Sequence, residues 1–470
     1  MGRRKRKQKF VENIRLSGIA DKGRAVGRDE TGQVYFVEGG VPGDLVTVHV
    51  QKKKKGVPFG KVSAIQEPSE ERVEAFCPHF DLCGGCKWQN LSYDSQLAHK
   101  TEYVKSAIHR IGKVEVEQWE EILGGAKTTY YRNKLEYSFS SARWMTEEEV
   151  NSDEIIEDKK GLGFNKSGTF DKVIDLNSCF LQTETTNRLR NWLRDYTRSD
   201  EFEYYNSRSK TGWLRNIMIR TTEKGEILIL MSFAYDDSEL REQLLDAMLA
   251  EFPEIISMFY VISDKVNSVT IDLEYVHYHG TEVLIEYLGD VKFQIGPKSF
   301  FQTNTTQAKA LYDVVKDYAN FQGDENVYDL YTGLGSIALY VAGDVKSITG
   351  IEEIPEAIHY ANINQEVNKI ENATFYTGDV KDILTEKFVT KHGKADVIIT
   401  DPPRVGMHKD VVETLLRSDA KKIVYVSCNP ATQARDLDML SEKYAVKRMR
   451  PVDMFPHTHH VETVALLELK

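Results

Sequence analysis

Cysteine is scarce in this sequence, with five residues among 470. Long apolar runs are missing as well, since no stretch approaches the roughly 20 residues that a membrane helix needs. The charged start "MGRRKRKQKF" is not followed by the apolar segment of a signal peptide. We therefore expect a cytoplasmic protein without membrane attachment, in which cysteines serve metal binding or catalysis and not a disulfide framework.

The length and the charge distribution indicate several units. A chain of 470 residues is too long for one ordinary core, and about three domains are expected. Residues 1 to 61 hold 15 Lys and Arg against 6 Asp and Glu, although the whole chain has a net charge of −11. Basic runs such as "RRKRK" and "QKKKK" are typical of a surface that contacts nucleic-acid phosphates, while solvated charge is the alternative.

The first unit, residues 1–67, has short strand-like stretches separated by glycine: "NIRLSGI", "GRAVGR", "GQVYFVEG", "DLVTVHVQ" and "GKVSAIQ". This pattern predicts a small, OB-like β-barrel. Through "DKGRAVGR", "VEGGVPGD" and "GKVSAI" it resembles the TRAM domain, which implies RNA binding.

The second unit, residues 68–295, mixes helical and strand-like patterns and predicts an α+β domain. Its helix-like stretch is "YDSQLAHKTEYVKSAIHRI", and alternating strands include "NKLEYSFS" and "EILILMSFA". The acidic stretch "TEEEVNSDEIIEDKK" predicts a loop.

The third unit, residues 296–470, alternates strands with helices. "NVYDLYTGLG", "SITGIE", "ATFYTGD", "ADVIITDPPR" and "KIVYVSCNP" are separated by helical stretches, and two paired strands follow. This order predicts a doubly wound, Rossmann-like α/β sheet with an antiparallel strand at its end.

Two strand ends of this sheet suggest a cofactor site. "DLYTGLG" places Gly333 in a turn where a ligand can approach the backbone, and Glu352 follows about 20 residues later, where an acid can bind a ribose. These features fit S-adenosylmethionine, with the methionine part at the glycine turn, the ribose at Glu352 and the adenine beside Asp379. Both acids have the alternative of being ordinary surface carboxylates.

Two further strand ends indicate the reaction. Asp401 begins "DPPR", in which Arg404 departs from the aromatic residue typical of amine methyltransferases, and Cys428 lies at a helix start, where the dipole is expected to lower a thiol pKa. A thiolate that adds to uracil C6 makes C5 nucleophilic, and a base must then remove the C5 proton. Glu462 is the candidate base. His457, His459 and His460 offer a rival base or a metal site.

The motifs "SFFQTN", "DLYTGLG", "DPPR", "SCNP" and "FPHTHHVE" occur in one order, and with them the chain resembles the RNA 5-methyluridine methyltransferases. The resemblance implies a covalent mechanism with Cys428 as nucleophile and Glu462 as base. It further implies a cofactor site lined by Gln302, Tyr331, Glu352 and Asp401. Two substrate contacts are also implied, a base stacked on Phe300 and the target near Arg132.

The remaining cysteines form a C-x5-C-x2-C group, "CPHFDLCGGC", with one distant partner in "DLNSCFLQ". Under the same resemblance, Cys77, Cys83, Cys86 and Cys179 are expected to ligate a [4Fe-4S] cluster in the central domain. Zinc is the rival metal, although it usually takes two C-x2-C pairs. Uracil methylation moves no electrons, so a structural or RNA-positioning cluster is expected.

Several functions remain in competition. The leading hypothesis is a monomeric enzyme that methylates uracil C5 in 23S ribosomal RNA, and the first rival has tRNA as the substrate. Under the resemblance, the cysteine group and the barrel favour ribosomal RNA, because the tRNA-specific bacterial members generally lack both, although some tRNA-acting members keep them. A non-catalytic RNA-binding protein is opposed by the intact Cys428 and Glu462. A radical enzyme is opposed by the cysteine spacing, since such enzymes use C-x3-C-x2-C.

Overall fold

The computed structural model describes residues 9–153 and 156–470, so the basic run at residues 3–7 lies outside the described part. The N-terminal unit is a closed five-stranded barrel in the order β1-β2-β3-β5-β4. Its strands are Lys9–Ile19 (β1), Ala25–Arg28 (β2), Val34–Glu38 (β3), Leu45–Lys54 (β4) and Val57–Glu67 (β5). Alternating apolar residues fill its interior: Ile14, Leu16, Ala25, Tyr35, Val37, Val46 and Val48. The predicted small barrel is confirmed.

A segment with little regular structure, which carries Cys77, Cys83 and Cys86, connects the barrel to a helix, Tyr93–Ala107 (α1). Ser92 caps this helix by accepting a hydrogen bond from the Ser95 amide. A π-helical turn and a short strand, Val116–Trp119 (β6), follow.

The central unit is a seven-stranded sheet in the order β13-β12-β11-β10-β7-β8-β9. The strands are Lys134–Ser140 (β7), Gly161–Asn165 (β8), Val173–Asp175 (β9), Leu214–Thr221 (β10), Ile227–Phe233 (β11), Ile255–Ile262 (β12) and Val276–Gly280 (β13). Its helices are Glu147–Asn151 (α2), Glu184–Tyr196 (α3) and Ser238–Glu251 (α4). Apolar residues of α3 and α4 join the strands in one core, so the predicted α+β character is observed.

The short helix α2 lies in the acidic stretch for which the sequence predicts a loop. Thr146 accepts a hydrogen bond from the Glu149 amide, and the Glu149 carboxylate accepts one from the Thr146 amide. This reciprocal capping box stabilises one helical turn even among acidic residues. Residues 154 and 155 of the same stretch lie outside the described residues.

The C-terminal unit is an eight-stranded sheet in the order β18-β17-β16-β19-β20-β22-β21-β6. A hairpin precedes it, Leu284–Leu288 (β14) and Val291–Ile295 (β15). The strands of the sheet after β6 are Asn326–Leu330 (β16), Ser347–Glu352 (β17), Ala373–Thr377 (β18), Val397–Thr400 (β19), Lys422–Ser427 (β20), Tyr444–Val452 (β21) and Glu462–Leu469 (β22). The helices are Thr305–Ala319 (α5), Ser336–Val341 (α6), Pro355–Val367 (α7), Val380–Ile383 (α8), Glu386–His392 (α9), Lys409–Ser418 (α10) and Pro430–Leu440 (α11).

Strands β16 to β20 are parallel to one another, whereas β22 is antiparallel to both β20 and β21. Helices cover both faces of the sheet, with α5, α6 and α7 on one side and α10 and α11 on the other. The predicted doubly wound sheet is therefore observed. Because the carboxyl ends of the parallel strands share one edge, the loops after β16, β17, β19 and β20 meet there.

Three elements from residues 68–295, namely α1, β6 and the hairpin β14–β15, pack on the C-terminal sheet. Helix α1 contributes Val104 to the core beneath α11, and β6 pairs in parallel with β21. The hairpin β14–β15 adds Phe293 and Ile295 to the opposite core. Local periodicity indicates that these elements exist but not which sheet they join, since that choice depends on contacts far away in sequence. No helix in the described part of the chain is long and apolar enough to cross a bilayer.

Candidate active site

The turn after β16 exposes its backbone at the carboxyl edge of the sheet. Tyr331 and Gly333 both have positive φ, 65° and 59°, and the Tyr331 amide donates to the Ile351 carbonyl at 2.9 Å. A Cβ added at Gly333 would meet no atom within 4 Å, so the space over the turn is open. A ligand can therefore approach the main chain at Gly333.

Glu352 and Asp379 lie on the same edge. The Glu352 carboxylate accepts hydrogen bonds from the Gly333 amide at 3.1 Å and the Ile354 amide at 3.0 Å, which joins the glycine turn to the end of β17. Asp379 caps α8, and its ion pair with Lys381 is the main cause that lowers the pKa of the Asp379 carboxyl. The charge of Asp379 acts on the Tyr331 hydroxyl, so the acid lies near the turn.

Two further carboxyls lie side by side at this edge. Burial raises the pKa of Asp401 to about 7, and the neighbouring Asp329 adds to the rise. Burial also raises the pKa of Asp329 to about 7, although the Thr332 hydroxyl donates to its Oδ2 at 2.5 Å. The other oxygen, Oδ1, is buried without a hydrogen-bond partner among the described residues. Such a pair of acids favours a cation between or beside them.

Gln302 reaches this site from the segment before α5. Its side chain faces the Tyr312 hydroxyl, which lies 3.1 Å from the Ser336 hydroxyl and close to Asp401.

The two aromatic residues just before Gln302 differ sharply in exposure. Phe300 is 75% exposed, whereas Phe301 is buried against Phe293 with ring centroids 5.7 Å apart. Phe300 therefore has a free face for a ligand, and Phe301 belongs to the core.

Strand pairing brings Cys428 and Glu462 together. Ser427 is the register partner of Thr463, so the residues that adjoin this pair, Cys428 and Glu462, lie at the same end of the two strands. Burial raises the pKa of Glu462 to about 8, with a further rise from Asp401 and a smaller opposing effect of Arg404. The three predicted residues Asp401, Cys428 and Glu462 thus share one electrostatic environment.

The expected effect of the helix dipole on Cys428 is not observed. Burial, Glu462 and Asp401 raise the pKa of the Cys428 thiol to about 11, and only Arg404 opposes them. Burial is the largest of these causes and the two acids on neighbouring strands add to it, so a position at a helix start does not by itself give this thiol a lowered pKa. Arg404, which the sequence marks only as a departure from a motif, is the cation that favours the thiolate.

The three histidines before Glu462 are neutral near pH 7. Burial lowers the pKa of His457 and of His459 to about 4 and that of His460 to about 3. A carboxylate whose conjugate acid has a pKa of about 8 is a stronger proton acceptor than these imidazoles. This comparison favours Glu462 over the histidines as the base.

The four clustered thiols converge on one cavity of about 270 Å³. Cys77, Cys83, Cys86 and Cys179 line it. Burial raises the pKa of Cys83 to about 11 and that of Cys86 to about 12, and Cys77 and Cys179 add to both shifts. All five cysteines are free. Across residues 9–153 and 156–470, no group of three or more His, Cys, Asp or Glu side chains has the geometry to hold a metal ion.

Arg132 lies between this cavity and the loop before Glu462. It lines the cavity, its guanidinium carbon lies 5.6 Å from the centre of the Phe455 ring, and its Nε donates to the Lys134 carbonyl at 3.1 Å. Its backbone amide donates to the Leu181 carbonyl.

Sequence reasoning missed three residues of the site. Asp329 is part of "DLYTGLG", and a buried acid just before a glycine turn was a usable signal. Arg404 was visible within "DPPR". Tyr312 lies on α5 among buried apolar residues, and no local pattern distinguishes it from the core.

The chain is similar to known families and proteins over most of its length. A family model described as tRNA (Uracil-5-)-methyltransferase matches residues 92–470, and a TRAM domain model matches residues 7–63. Two proteins named as uncharacterized RNA methyltransferases, from Bacteroides thetaiotaomicron and Porphyromonas gingivalis, are 46% and 47% identical to this chain. They align over 96% and 97% of it and over 100% and 99% of their own lengths.

A solved structure is similar over nearly the whole molecule. The tRNA (uracil-54, C5)-methyltransferase of Pyrococcus abyssi, in complex with S-adenosyl-L-homocysteine, has a TM-score of 0.74 and 27% sequence identity. The alignment covers 97% of this chain and 100% of that chain.

Proposed function

Because the chain belongs to the tRNA (uracil-5-)-methyltransferase family and carries an N-terminal TRAM domain, we propose that it methylates C5 of a uracil in 23S ribosomal RNA. The members of this family depend on S-adenosylmethionine. The methylation would proceed through a covalent adduct with Cys428. The observation that carries this proposal is the meeting of Cys428 with Glu462 and Asp401 at the carboxyl edge of the sheet. A thiol and a base at one strand end are the two groups that this reaction needs from the protein.

The cofactor would lie along the edge from the glycine turn to Asp401. We assign the methionine part to Gly333 and Tyr331, the ribose to Glu352, the adenine border to Asp379 and a contact near the reacting methyl to Gln302. The paired acids Asp329 and Asp401 fit a ligand that carries an ammonium and a sulfonium group, since these charges would let both carboxyls ionise. S-adenosylmethionine supplies an electrophilic methyl group.

The protein residues perform the remaining steps. Cys428 Sγ releases its proton to solvent water, and Arg404 stabilises the thiolate. The thiolate forms a bond to C6, the electrons of the C5–C6 double bond form a C4–C5 double bond, and those of the C4–O4 double bond move to O4. After C5 has taken the methyl group and O4 has become a carbonyl again, Glu462 accepts the C5 proton. The electrons of the C5–H bond restore the double bond, and the C6–S bond breaks to release the thiolate.

The nucleophile assignment is tested with Cys428→Ala. This variant should bind S-adenosylmethionine with the affinity of the wild type, because Cys428 lies beyond the glycine turn, but it should show no methyl transfer to RNA. Equilibrium dialysis with labelled cofactor and a methylation assay measure the two properties. Methylation at the normal rate by this variant refutes the covalent mechanism.

A tRNA is the second candidate substrate, and one observation favours it. The Pyrococcus abyssi structure that aligns over 97% of this chain is named as a tRNA methyltransferase. That alignment includes the barrel and the cysteine segment, so these two features do not distinguish ribosomal RNA from tRNA. Mapping 5-methyluridine in both RNA classes from a deletion strain decides between them, because only the true substrate loses its methyl group.

We further propose that Cys77, Cys83, Cys86 and Cys179 hold a [4Fe-4S] cluster with a structural role. Four thiols around one cavity provide the donor set of such a cluster, and the raised pKa values of Cys77, Cys83 and Cys86 fit thiols that become thiolates only with a metal present. Protein purified without oxygen should be brown and contain iron and sulfide, and Cys179→Ser should lose most of both. Colourless protein that contains zinc refutes the cluster.

RNA is proposed to approach from the side of Phe300 and the barrel. The exposed ring of Phe300 can stack on a base, and Arg132 beside the cysteine cavity can reach the target. On the barrel, Lys52, Lys53, Lys54 and Lys55 lie exposed at the β4–β5 turn and can contact phosphates. In this arrangement the first unit binds RNA, the second presents it and the third carries out the chemistry.

A further inference from the structure

The loop between β21 and β22 leads directly to Glu462, the first residue of β22. Its residues run from Asp453 to Val461, and the strand residues on either side of it, Val452 and Glu462, are register partners. Asp453 is therefore the next residue after the partner of the proposed base. A connection of this length usually moves unless other groups hold it.

A buried ion pair holds the first residue of this loop. Lys100 and Asp453 are both fully buried, and Lys100 Nζ lies 2.6 Å from Asp453 Oδ1. The same ammonium donates to the Phe455 carbonyl at 3.2 Å, and the Tyr93 hydroxyl donates to Asp453 Oδ2 at 3.0 Å. The Tyr93 oxygen in turn accepts a hydrogen bond from the Gly125 amide at 2.6 Å. Both oxygens of the buried carboxylate thus have partners.

The same helix holds the loop at a second point. Gln96 is one turn before Lys100 on α1, and its Oε1 accepts a hydrogen bond from the His457 amide at 2.9 Å. Its Nε2 lies 3.1 Å from His457 Nδ1. The His457 carbonyl accepts hydrogen bonds from the amides of Lys87 and Trp88 at 2.8 and 3.1 Å. Segments more than 350 residues away in sequence therefore fix the loop that ends at Glu462.

Stability alone does not explain an ion pair in this place. Removing two charges from water is costly, and apolar residues of similar volume often serve stability as well or better. Apolar contacts are not directional. A charged pair with fixed hydrogen bonds, in contrast, specifies one arrangement of the loop. Proton abstraction needs such an arrangement, since a displacement of about 1 Å can cost roughly 100-fold in rate.

We propose that Lys100 and Asp453 are positioning residues for Glu462, and that their buried pair sets the place of the carboxylate against the C5 proton of the substrate. This inference rests on the proposed function. It predicts a loss at one step only, because Cys428 follows the end of β20, outside the loop that the pair holds, and the cofactor edge lies farther away. Addition to C6 and methyl transfer should continue when the pair is removed, while release of the RNA from Cys428 should slow.

The test replaces both charges together with Lys100→Met and Asp453→Leu. This double variant should keep its melting temperature within a few degrees, because no buried charge is left without a partner. With the unmodified RNA transcript that the wild type methylates, 23S ribosomal RNA or tRNA, it should accumulate a covalent protein–RNA adduct on a denaturing gel. Turnover should fall about 100-fold. Lys309→Met with Asp313→Leu, an exposed pair on α5, is the matched control and should show wild-type turnover.

Two further measurements separate the steps. RNA with 5-fluorouridine has no C5 proton to lose, so the double variant and the wild type should form the adduct on this RNA at the same rate. Tyr93→Phe removes only the hydroxyl that donates to Asp453 Oδ2, and it should give a smaller accumulation of adduct, a few-fold over the wild type. If the double variant fails to fold, Tyr93→Phe still tests whether the buried pair positions Glu462.

Three outcomes overturn the inference. Wild-type turnover by the double variant shows that the pair is only structural, provided that Glu462→Gln traps an adduct in the same assay. A slower adduct on fluorouridine RNA shows that the loop serves thiol attack or binding. Normal turnover by Glu462→Gln refutes the proposed role of the base, and the inference falls with it.

Discussion

Under the proposed mechanism, release of the methylated RNA depends on Glu462. Its carboxyl is buried beside Asp401, and burial raises its pKa to about 8. Glu462→Gln keeps the shape and the burial of the side chain but cannot accept a proton, so turnover should fall by about 100-fold to 10,000-fold while addition to C6 continues. A shifted protein–RNA band on a denaturing gel measures the trapped adduct, and a variant that turns over normally contradicts the assignment.

Arg404 should control the reactivity of Cys428. It opposes the rise that burial and the two acids cause in the pKa of this thiol. Arg404→Gln should therefore raise the pKa further, and alkylation of Cys428 by iodoacetamide at pH 8 should slow about tenfold for each unit of the rise. Arg404→Lys keeps the charge and is the matched control. Peptide mass spectrometry follows Cys428 separately from the other thiols, and equal rates in all three proteins contradict this role.

The site residues show what the sequence can predict at this scale. Cys428 and Glu462 are predictable because each lies in a motif at a strand end, and strand ends of one sheet meet at one edge. The direction of the Cys428 pKa shift is not predictable, because it depends on the distance to Glu462, which lies 34 positions later, and on the depth of burial. Tyr312 shows the same limit, since only tertiary packing brings its hydroxyl to Gln302.

Among the elements, the turn after β16 should decide cofactor affinity. Gly333 has a φ of 59° and open space where a Cβ would stand. Gly333→Ala would place a methyl group in that space and strain the backbone by about 1 kcal/mol. The dissociation constant for S-adenosylmethionine should rise about tenfold, which isothermal titration calorimetry measures.

A remote glycine provides the control for this turn. Gly225 has a φ of 85° and likewise no atom within 4 Å of a built Cβ, but it lies in the turn between β10 and β11. Gly225→Ala should cost a similar amount of stability and leave cofactor affinity unchanged. Equal losses of affinity in both variants would show that backbone strain, and not the filled space at Gly333, is the cause.

The boundaries of helices and strands were more predictable from the sequence than the sheet that each of them joins. All five barrel strands and the strands of the doubly wound sheet occur where glycine turns and apolar alternation place them. The positions of α1 and β6 were not predictable from pattern, because an amphipathic helix fits any complementary apolar surface. Their attachment to the C-terminal sheet brings Gln96 and Lys100 of α1 into contact with the loop before Glu462.

At the scale of the whole molecule, the charges at the active site link stability to pH. Three carboxyls of the site have raised pKa values, about 7 for Asp329 and Asp401 and about 8 for Glu462, and the buried Glu286 outside the site has one of about 7. In the unfolded chain these groups lose their protons near pH 4. The folded protein therefore binds more protons than the unfolded chain between about pH 4 and pH 8, and its free energy of unfolding falls as pH rises through this range.

The buried histidines act in the opposite direction over part of this range. Unfolded histidine takes up a proton below about pH 6.5, whereas His457 and His459 in the folded protein have pKa values of about 4. Their contribution raises the free energy of unfolding as pH increases from about 4 to about 6.5. Above pH 6.5 they are neutral in both states, so the carboxyls should dominate the slope up to about pH 8, where Lys134, whose pKa is lowered to about 8, begins to oppose them.

The cofactor-free protein should consequently lose thermal stability between pH 6.5 and pH 8, and differential scanning calorimetry in this window measures the loss. Asp401→Asn should flatten the slope, because it removes one carboxyl with a raised pKa and the repulsion that raises the pKa of Glu462.

If bound S-adenosylmethionine places its cationic groups beside Asp329 and Asp401, both carboxyls should release protons on binding. Cofactor affinity should then increase with pH through about 7, and calorimetric titration in buffers of different ionisation enthalpy should detect the released protons. A melting temperature that stays constant from pH 6.5 to 8, together with proton-neutral binding, would show that these carboxyls are already ionised in the free protein.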